Sequence, residues 1–285
     1  MQQRRIGDVP VSAIGLGAMP LSTKERRPSH DDAVATIHAA LDAGVTLVDT
    51  ADAYSRDEAE FGHNESLVAD ALASYGSGAA DVLVATKGGH TRRGTDWELD
   101  GTPGYLRRAC EASLRRLGGD AIGLYQFHRP DPDTPWEESM GALRSLADDG
   151  LVRMVGISNA DVAQIDVARS IVGPALVSVQ NQFSPGWRFS ADEVAHCAGH
   201  GLAFLPWSPF GGVSAAGSLE ATAPAFAEVA EELGVSVYQV TLAWHLAQAD
   251  VVVPIPGATR AASIVDSAAA ADLQLTPEQL ARLDA

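Results

Sequence analysis

The stretch "GLGAMPLS", residues 15–22, decides between two folds. It ends a short apolar run, "AIGLGAM" (13–19), that reads as a first strand. In a doubly wound α/β sheet, an early strand is followed by a loop of the form G-x-G-x-x-G that opens a helix. Here Gly15 and Gly17 have no third glycine after them, and no helix begins at once. An open dinucleotide-binding sheet is therefore not expected.

Seven further runs lie downstream: "TLVDT" (46–50), "DVLVATK" (81–87), "IGLYQFH" (122–128), "MVGISN" (154–159), "LVSVQN" (176–181), "AFLPWSP" (203–209) and "VVVPIPG" (251–257). Each is nearly continuous in hydrophobicity, as parallel strands covered on both faces are. Amphipathic stretches separate them. Val34, Ile37 and Leu41 share one helix face, and Leu106, Cys110, Leu114 and Leu117 form another stripe after Thr102-Pro103. Thr134-Pro135-Trp136-Glu137 predicts a capping box ahead of Met140, Leu143 and Leu146. Thr276-Pro277-Glu278-Gln279 opens a final short helix, and "RRIGDVPVS" (4–12) predicts a hairpin turning on Gly7-Asp8. Eight strand–helix units in 285 residues predict an α/β fold, a (β/α)8 TIM barrel with an N-terminal β-hairpin and a C-terminal helix, spanning 1–285 as one domain. Residues 210–221, "FGGVSAAGSLEA", read as a mobile loop on the seventh strand–helix connection.

Composition narrows the partners. A net charge of −17 argues against a nucleic-acid or anionic-membrane partner, since phosphate recognition needs clustered Lys and Arg. No apolar run approaches the ~20 residues of a membrane span, and the N-terminus lacks the continuous apolar segment of a signal peptide. Two cysteines, Cys110 and Cys197, are no disulfide framework or thiolate site, so a cytoplasmic location is expected. Any phosphate ligand would need a local basic site.

In such a barrel the chemistry gathers at the C-terminal ends of the strands. There stand Asp49 with Tyr54 in the next loop, then Lys87, then His128, then Ser158-Asn159, then Gln180-Asn181. Taken singly, each has a plainer reading. Asp49 and Lys87 suit a structural ion pair, His128 a core histidine, Tyr54 a packed loop ring, and Ser158 or Asn159 an N-cap for a helix at 161–171. Jointly that reading is poor, because a buried Lys and Asp are costly in a core that could be apolar. The joint reading is a phenol prepared as a general acid. Free tyrosine has a pKa near ~10. An adjacent ammonium is expected to lower it, with Asp49 holding Lys87 and His128 fixing a carbonyl oxygen. No metal-ligand set is expected. His196 and His200 have i,i+4 spacing, but on a helix away from the strand ends.

The rest of the rim suggests a cofactor. Trp207 offers a flat face to a planar ring, and Ser158, Asn159 and Gln180 suit a carboxamide. Gly257-Ala258-Thr259-Arg260 opens the last barrel helix and suits a phosphate. Together these describe a nicotinamide dinucleotide.

Through "LVDTADAY" (47–54), "VATKGG", "LYQFHRPDP", "VGISN", "VQNQFSP", "LPWSPFGG" and "PIPGATR", in this order, the sequence resembles the aldo-keto reductase family over nearly its whole length. The resemblance implies a catalytic tetrad of Asp49, Tyr54, Lys87 and His128. It implies carboxamide contacts from Ser158, Asn159 and Gln180, and stacking on Trp207. It adds Gly17, Met19, Ser208 and Pro209 to the cofactor site, and gives Gly257, Thr259 and Arg260 to a 2′-phosphate. Ser267 stands where the family usually has an adenine-contacting Asn, and Ser263 where a longer side chain is common. Arg260, by this resemblance, favours NADPH over NADH. "GGHTRRGTDWELDGTP" is similar to pyridoxal reductase-like and general oxidoreductase members. The implied activity is reduction of a small-molecule aldehyde or ketone, with Tyr54 as acid. Two alternatives stand beside it: a nucleotide-binding redox-sensing subunit with negligible turnover, and a barrel lyase or isomerase using Lys87 as a Schiff base. The substrate pocket mouth is expected from Met19, Asp52, Trp97, Arg129 and the 210–221 loop.

Overall fold

The computed structural model describes residues 1–23, 25, 27–212 and 216–285. Strands β1 (Gln3–Ile6) and β2 (Val9–Ser12) pair antiparallel with Ile6 opposite Val9, the predicted hairpin. Gly7 takes a φ of +56°, and a Cβ there would lie 2.9 Å from Val177 Cγ1, so the turn needs glycine twice over. Ile6 and Val11 are buried in one cluster with Leu47, Leu124, Leu205 and Val253. The hairpin thus seals the bottom of the barrel with apolar side chains.

Strand and helix then alternate: β3 (Leu16–Gly17), α1 (His30–Asp42), β4 (Leu47–Asp49), α2 (His63–Tyr75) and β5 (Leu83–Gly88). A second hairpin, β6 (His90–Arg93) and β7 (Asp96–Leu99), precedes α3 (Pro103–Leu117). The alternation resumes with β8 (Ile122–Phe127), α4 (Trp136–Asp148), β9 (Val152–Ser158), α5 (Val162–Val172), β10 (Leu176–Gln180), α6 (Ala191–His200) and β11 (Ala203–Phe204). Helices α7 (Leu219–Thr222), α8 (Pro224–Leu233), α9 (Val237–Gln248), α10 (Ala261–Ala269) and α11 (Pro277–Asp284) complete the chain.

Seven strands form one sheet, in the order β11-β10-β9-β8-β5-β4-β3, and the pairings within it are parallel. The eighth predicted strand, 251–257, closes the circle without becoming a regular strand. It makes parallel bridges from Val252 to Phe204 and from Gly257 to Gly17. Gly15 donates to the Pro254 carbonyl at 2.9 Å and Gly17 to that of Pro256 at 3.0 Å. Pro254 and Pro256 can accept from β3 but not donate back, so that edge of the ladder is half-formed, while Val253 donates to the Phe204 carbonyl at 2.8 Å on the other side. The fold is the expected (β/α)8 barrel.

Several local expectations are corrected. The runs 13–19 and 203–209 contribute only two ladder residues each, because their ends turn into rim loops. Pro135, not Thr134, caps α4, and the Thr134 hydroxyl donates to Asp131 at 2.8 Å instead. Asp161 caps α5 through a capping box with Gln164, which frees Ser158 and Asn159 from that role. Within 210–221, α7 replaces part of the predicted loop; Val213, Ser214 and Ala215 lie outside the described residues. Among the described residues no helix is long and apolar enough to cross a membrane.

Candidate active site

The C-terminal rim surrounds a cavity of about 500 Å³. At its floor β4, β5 and β8 bring three predicted residues together. Lys87 is fully buried and donates to Asp49 Oδ1 at 2.5 Å, to the Thr50 carbonyl at 2.9 Å and to Tyr54 Oη at 3.0 Å. Its three N–H bonds are thus all engaged. Asp49 Oδ2 accepts from Gln180 Nε2 at 2.8 Å and Gln126 Nε2 at 3.1 Å. The pair is a buried ion pair with its remaining hydrogen-bonding capacity filled, the arrangement that offsets desolvation. Burial opposes the Lys87 charge, but Asp49 and Tyr54 outweigh it and hold the ammonium above its ordinary pKa. A lysine so protonated and so engaged has no lone pair for a carbonyl, which argues against Schiff-base chemistry.

Tyr54 corrects one expectation. Lys87 does pull the phenol pKa down, but burial pushes it up more strongly, and Asp49 adds to the rise. The net direction is upward. The phenol is therefore neutral, and its ring stands edge-on to His128 with centroids 5.5 Å apart.

His128 is pushed well below its ordinary pKa, by burial first and then by His90, Lys87 and Arg129. It is a neutral imidazole. Its Nδ1 is sealed without a partner. An orphaned N–H is rarer than an orphaned acceptor, so the proton sits on Nε2, and His128 offers the cavity a donor.

Asn159 Nδ2 donates to the His128 carbonyl at 3.0 Å and to Ser158 Oγ at 2.9 Å, and Ser158 Oγ donates to the Gln180 carbonyl at 2.6 Å. These bonds knit three strand ends. Asn159 (φ 60°) and Ser208 (φ 51°) are the non-glycine residues with positive φ among those described, and both border the cavity. Backbone strain of this kind gathers at ligand sites.

Gly17, Met19, Pro209, Gly257, Thr259 and Arg260 also line the cavity. Arg260 caps α10 without a side-chain bond to the helix, and it has no ion-pair partner among the described residues. An uncapped helix N-terminus beside a free guanidinium suits an anion. Gln180 is fixed through its Nε2, which leaves its Oε1 unengaged among the described residues. Trp207 lines the cavity with its indole N–H unpartnered. These features fit a nicotinamide dinucleotide. Ser267 does not reach the cavity; it is buried on α10.

Asp52 does not form the pocket mouth. It is fully buried, and neither carboxyl oxygen has a hydrogen-bond partner among the described residues. Burial, then the charge of Glu65, raises its pKa well above the ordinary value, which favours the protonated acid.

Sequence reasoning passed over the hairpin β6–β7. It turns on Gly94-Thr95, with Gly94 at a φ of +58°. Arg92 donates to the Ala53 carbonyl at 3.2 Å and to the Ser55 carbonyl, the residues on either side of Tyr54. Its guanidinium also stacks 3.6 Å from the Trp97 ring centroid. The signal was the alternation of "HTRRGTDWEL" about a glycine. Far from the rim, His196 and His200 meet Asp166 of α5, with His196 Nε2 3.0 Å from Asp166 Oδ1.

The sequence model of the aldo/keto reductase family matches residues 13–285. The chain belongs to the aldo/keto reductase family. It is accordingly an enzyme of the oxidoreductase class, in a family that uses nicotinamide cofactors on small-molecule substrates. Among its relatives, the 6-dehydroglucose reductase of Novosphingobium aromaticivorans is 35% identical over 269 residues, covering 92% of this chain and 87% of that protein. The glycerol dehydrogenase of Gluconobacter oxydans superposes with a TM-score of 0.85 at 29% identity, covering 99% of this chain and 94% of that one. An aldo/keto reductase from Klebsiella pneumoniae, solved with NADP and acetate, superposes with a TM-score of 0.83 at 26% identity and the same coverage.

Proposed function

We propose that this family member reduces an aldehyde or ketone to the alcohol with NADPH, and that Tyr54 donates the proton. The observation that carries the reading is the 3.0 Å bond from Lys87 to Tyr54. An ammonium can only donate. Tyr54 Oη therefore gives a lone pair to Lys87 and keeps its own O–H. No acceptor for that proton occurs among the described residues, and Tyr54 borders the cavity. A carbonyl oxygen held there accepts it, with neutral His128 donating to the same oxygen.

NADPH, when bound, would supply a hydride to the carbonyl carbon, leaving the negative charge on this oxygen. Tyr54 then transfers its proton, since an alkoxide is far more basic than a phenolate. The phenolate left behind faces Lys87, whose charge is fixed in place before reaction. Asp49 keeps Lys87 charged and aimed. Ser158, Asn159 and Gln180 would hold the carboxamide, Trp207 would cover the ring, and Gly17, Met19, Ser208 and Pro209 would border it. Gly257, Thr259 and Arg260 would hold the 2′-phosphate, which makes NADH the weaker cofactor. With Cys110 and Cys197 free and buried, a reducing cytoplasm suits the chain.

Tyr54→Phe is expected to lower turnover by about 10²- to 10⁴-fold while NADPH affinity is kept. Near-normal turnover in that variant would sink the assignment. Arg260→Ala is expected to weaken NADPH about 10-fold or more and NADH little; equal losses count against 2′-phosphate recognition.

A further inference from the structure

Hairpin β6–β7 brings into the cavity an imidazole that the chemistry above does not use, His90. Its ring is held from several directions. Nδ1 lies 3.1 Å from the Glu98 carbonyl. A carbonyl only accepts, so Nδ1 carries the ring proton. The His90 carbonyl accepts from Tyr105 Oη at 3.0 Å. Trp97 stands edge-on at 5.2 Å and His128 at 4.3 Å, centroid to centroid. Burial pushes the His90 pKa down to about 4, so the ring is neutral at working pH.

A neutral imidazole protonated on Nδ1 bears a lone pair on Nε2. That atom has no partner among the described residues, nor is it one of the sealed, unpartnered atoms, so it opens on the cavity that His90 lines. The reacting end of the cavity therefore offers two donors, Tyr54 Oη and His128 Nε2, with an acceptor beside them. One carbonyl oxygen takes both donors. The acceptor needs an O–H or N–H on the neighbouring part of the same molecule. An ammonium there would meet the positive field of Lys87 and Arg129, which already suppresses His90 protonation. A hydroxyl meets no such penalty.

We propose that His90 Nε2 accepts a hydrogen bond from a hydroxyl on the carbon next to the reacting carbonyl, which makes α-hydroxy aldehydes and ketones the substrate class. Trp97, edge-on to His90, walls the same space with an apolar ring suited to C–H groups. The proposal rests on the carbonyl-reductase reading above and deepens it. His90 selects substrate; it takes no part in hydride or proton transfer.

The test compares 2-hydroxypropanal with propanal in NADPH oxidation, for the protein and for His90→Phe and His90→Asn. The readout is the ratio of the two kcat/KM values. The protein is expected to favour the hydroxylated aldehyde by at least about 10-fold. His90→Phe keeps a ring but no acceptor, and is expected to bring the ratio close to 1. His90→Asn restores an acceptor and is expected to recover part of the preference, which a purely structural role would not do. An absent preference in the protein, or one undiminished in His90→Phe, overturns the proposal. If no carbonyl is turned over at all, the reductase reading has failed, and the subsite is judged by binding. Propane-1,2-diol and propan-1-ol are then titrated against tryptophan fluorescence in the presence of NADP+. A His90-dependent preference for the diol keeps the subsite; equal binding removes it.

Discussion

Asp49 and Asp52 stand three positions apart on one strand and loop, 2% and 0% exposed, yet they live in opposite electrostatic worlds. Asp49 faces Lys87, Gln126 and Gln180, and each of its oxygens is engaged. Asp52 turns away from the cavity, with no partner on either oxygen among the described residues. Behind it, Glu65 accepts from Thr86 at 2.5 Å and from Arg116 at 2.6 Å, so the available donors go to the wrong carboxylate. One aspartate is locked in an ion pair; the other is pushed towards its protonated form by burial and by Glu65. Burial alone therefore says little about charge. What faces the group decides it.

The largest expected break in this contrast is Lys87→Met. It leaves Asp49 buried without its counter-ion, at a cost of about 3–5 kcal/mol in stability. Turnover should fall by at least about 10²-fold, because Tyr54 loses the charge that stabilises its phenolate. Adding Asp49→Leu should recover much of the urea midpoint and none of the turnover. If turnover returned with stability, Lys87 would be structural only.

Asp52→Asn is expected to act in the opposite direction. A buried acid with a raised pKa keeps its proton where the unfolded chain loses it. Its stabilising contribution is complete below about pH 4 and is lost as pH rises towards the folded pKa. The amide has no proton to lose. The variant should be more stable than the parent at pH 7, by about 1–3 kcal/mol, and the gap should widen at pH 9 in urea melts. A gap that stays flat from pH 7 to 9 would mean that Asp52 is already ionised in the fold.

The smallest effect sharpens the same point with histidines. His128 is buried neutral, with a folded pKa below the unfolded value of about 6.5. The unfolded chain gains a proton that the folded chain refuses, so stability falls as pH drops below about 6.5. The slope is about 1.4 kcal/mol per pH unit for each such ring, and His90 and His245, both pushed down to about 4, add slopes of the same sign. The Asp52 slope has the opposite sign, so Asp52→Asn should lose stability more steeply on acidification than the parent. Thermal melts between pH 7 and 4.5 measure both slopes.

Much of the barrel was legible because hydrophobic periodicity is local. Strand cores within 46–50, 81–87, 122–128 and 154–159 are ladders in the structure. The weak points were helix starts where neighbouring polar residues compete for the same role. Asp161 displaced Ser158 and Asn159 as the α5 cap, and Asp131 drew Thr134 away from α4. The eighth strand shows the limit from the other side: its prolines kept it from a full ladder, yet it closes the barrel through the N–H groups of its neighbours.

By itself, the sequence determined the alternation of strand and helix, and hence which residues reach the C-terminal rim, because backbone periodicity fixes side-chain direction. That is why Asp49, Lys87 and His128 were readable as neighbours. Only the tertiary structure decided their electrostatic states. It made Tyr54 a high-pKa phenol rather than a low-pKa one, raised the Asp52 pKa, and folded a hairpin over the site so that His90 faces the cavity. Those outcomes depend on desolvation and on groups brought in from other strands and helices, which no local pattern encodes.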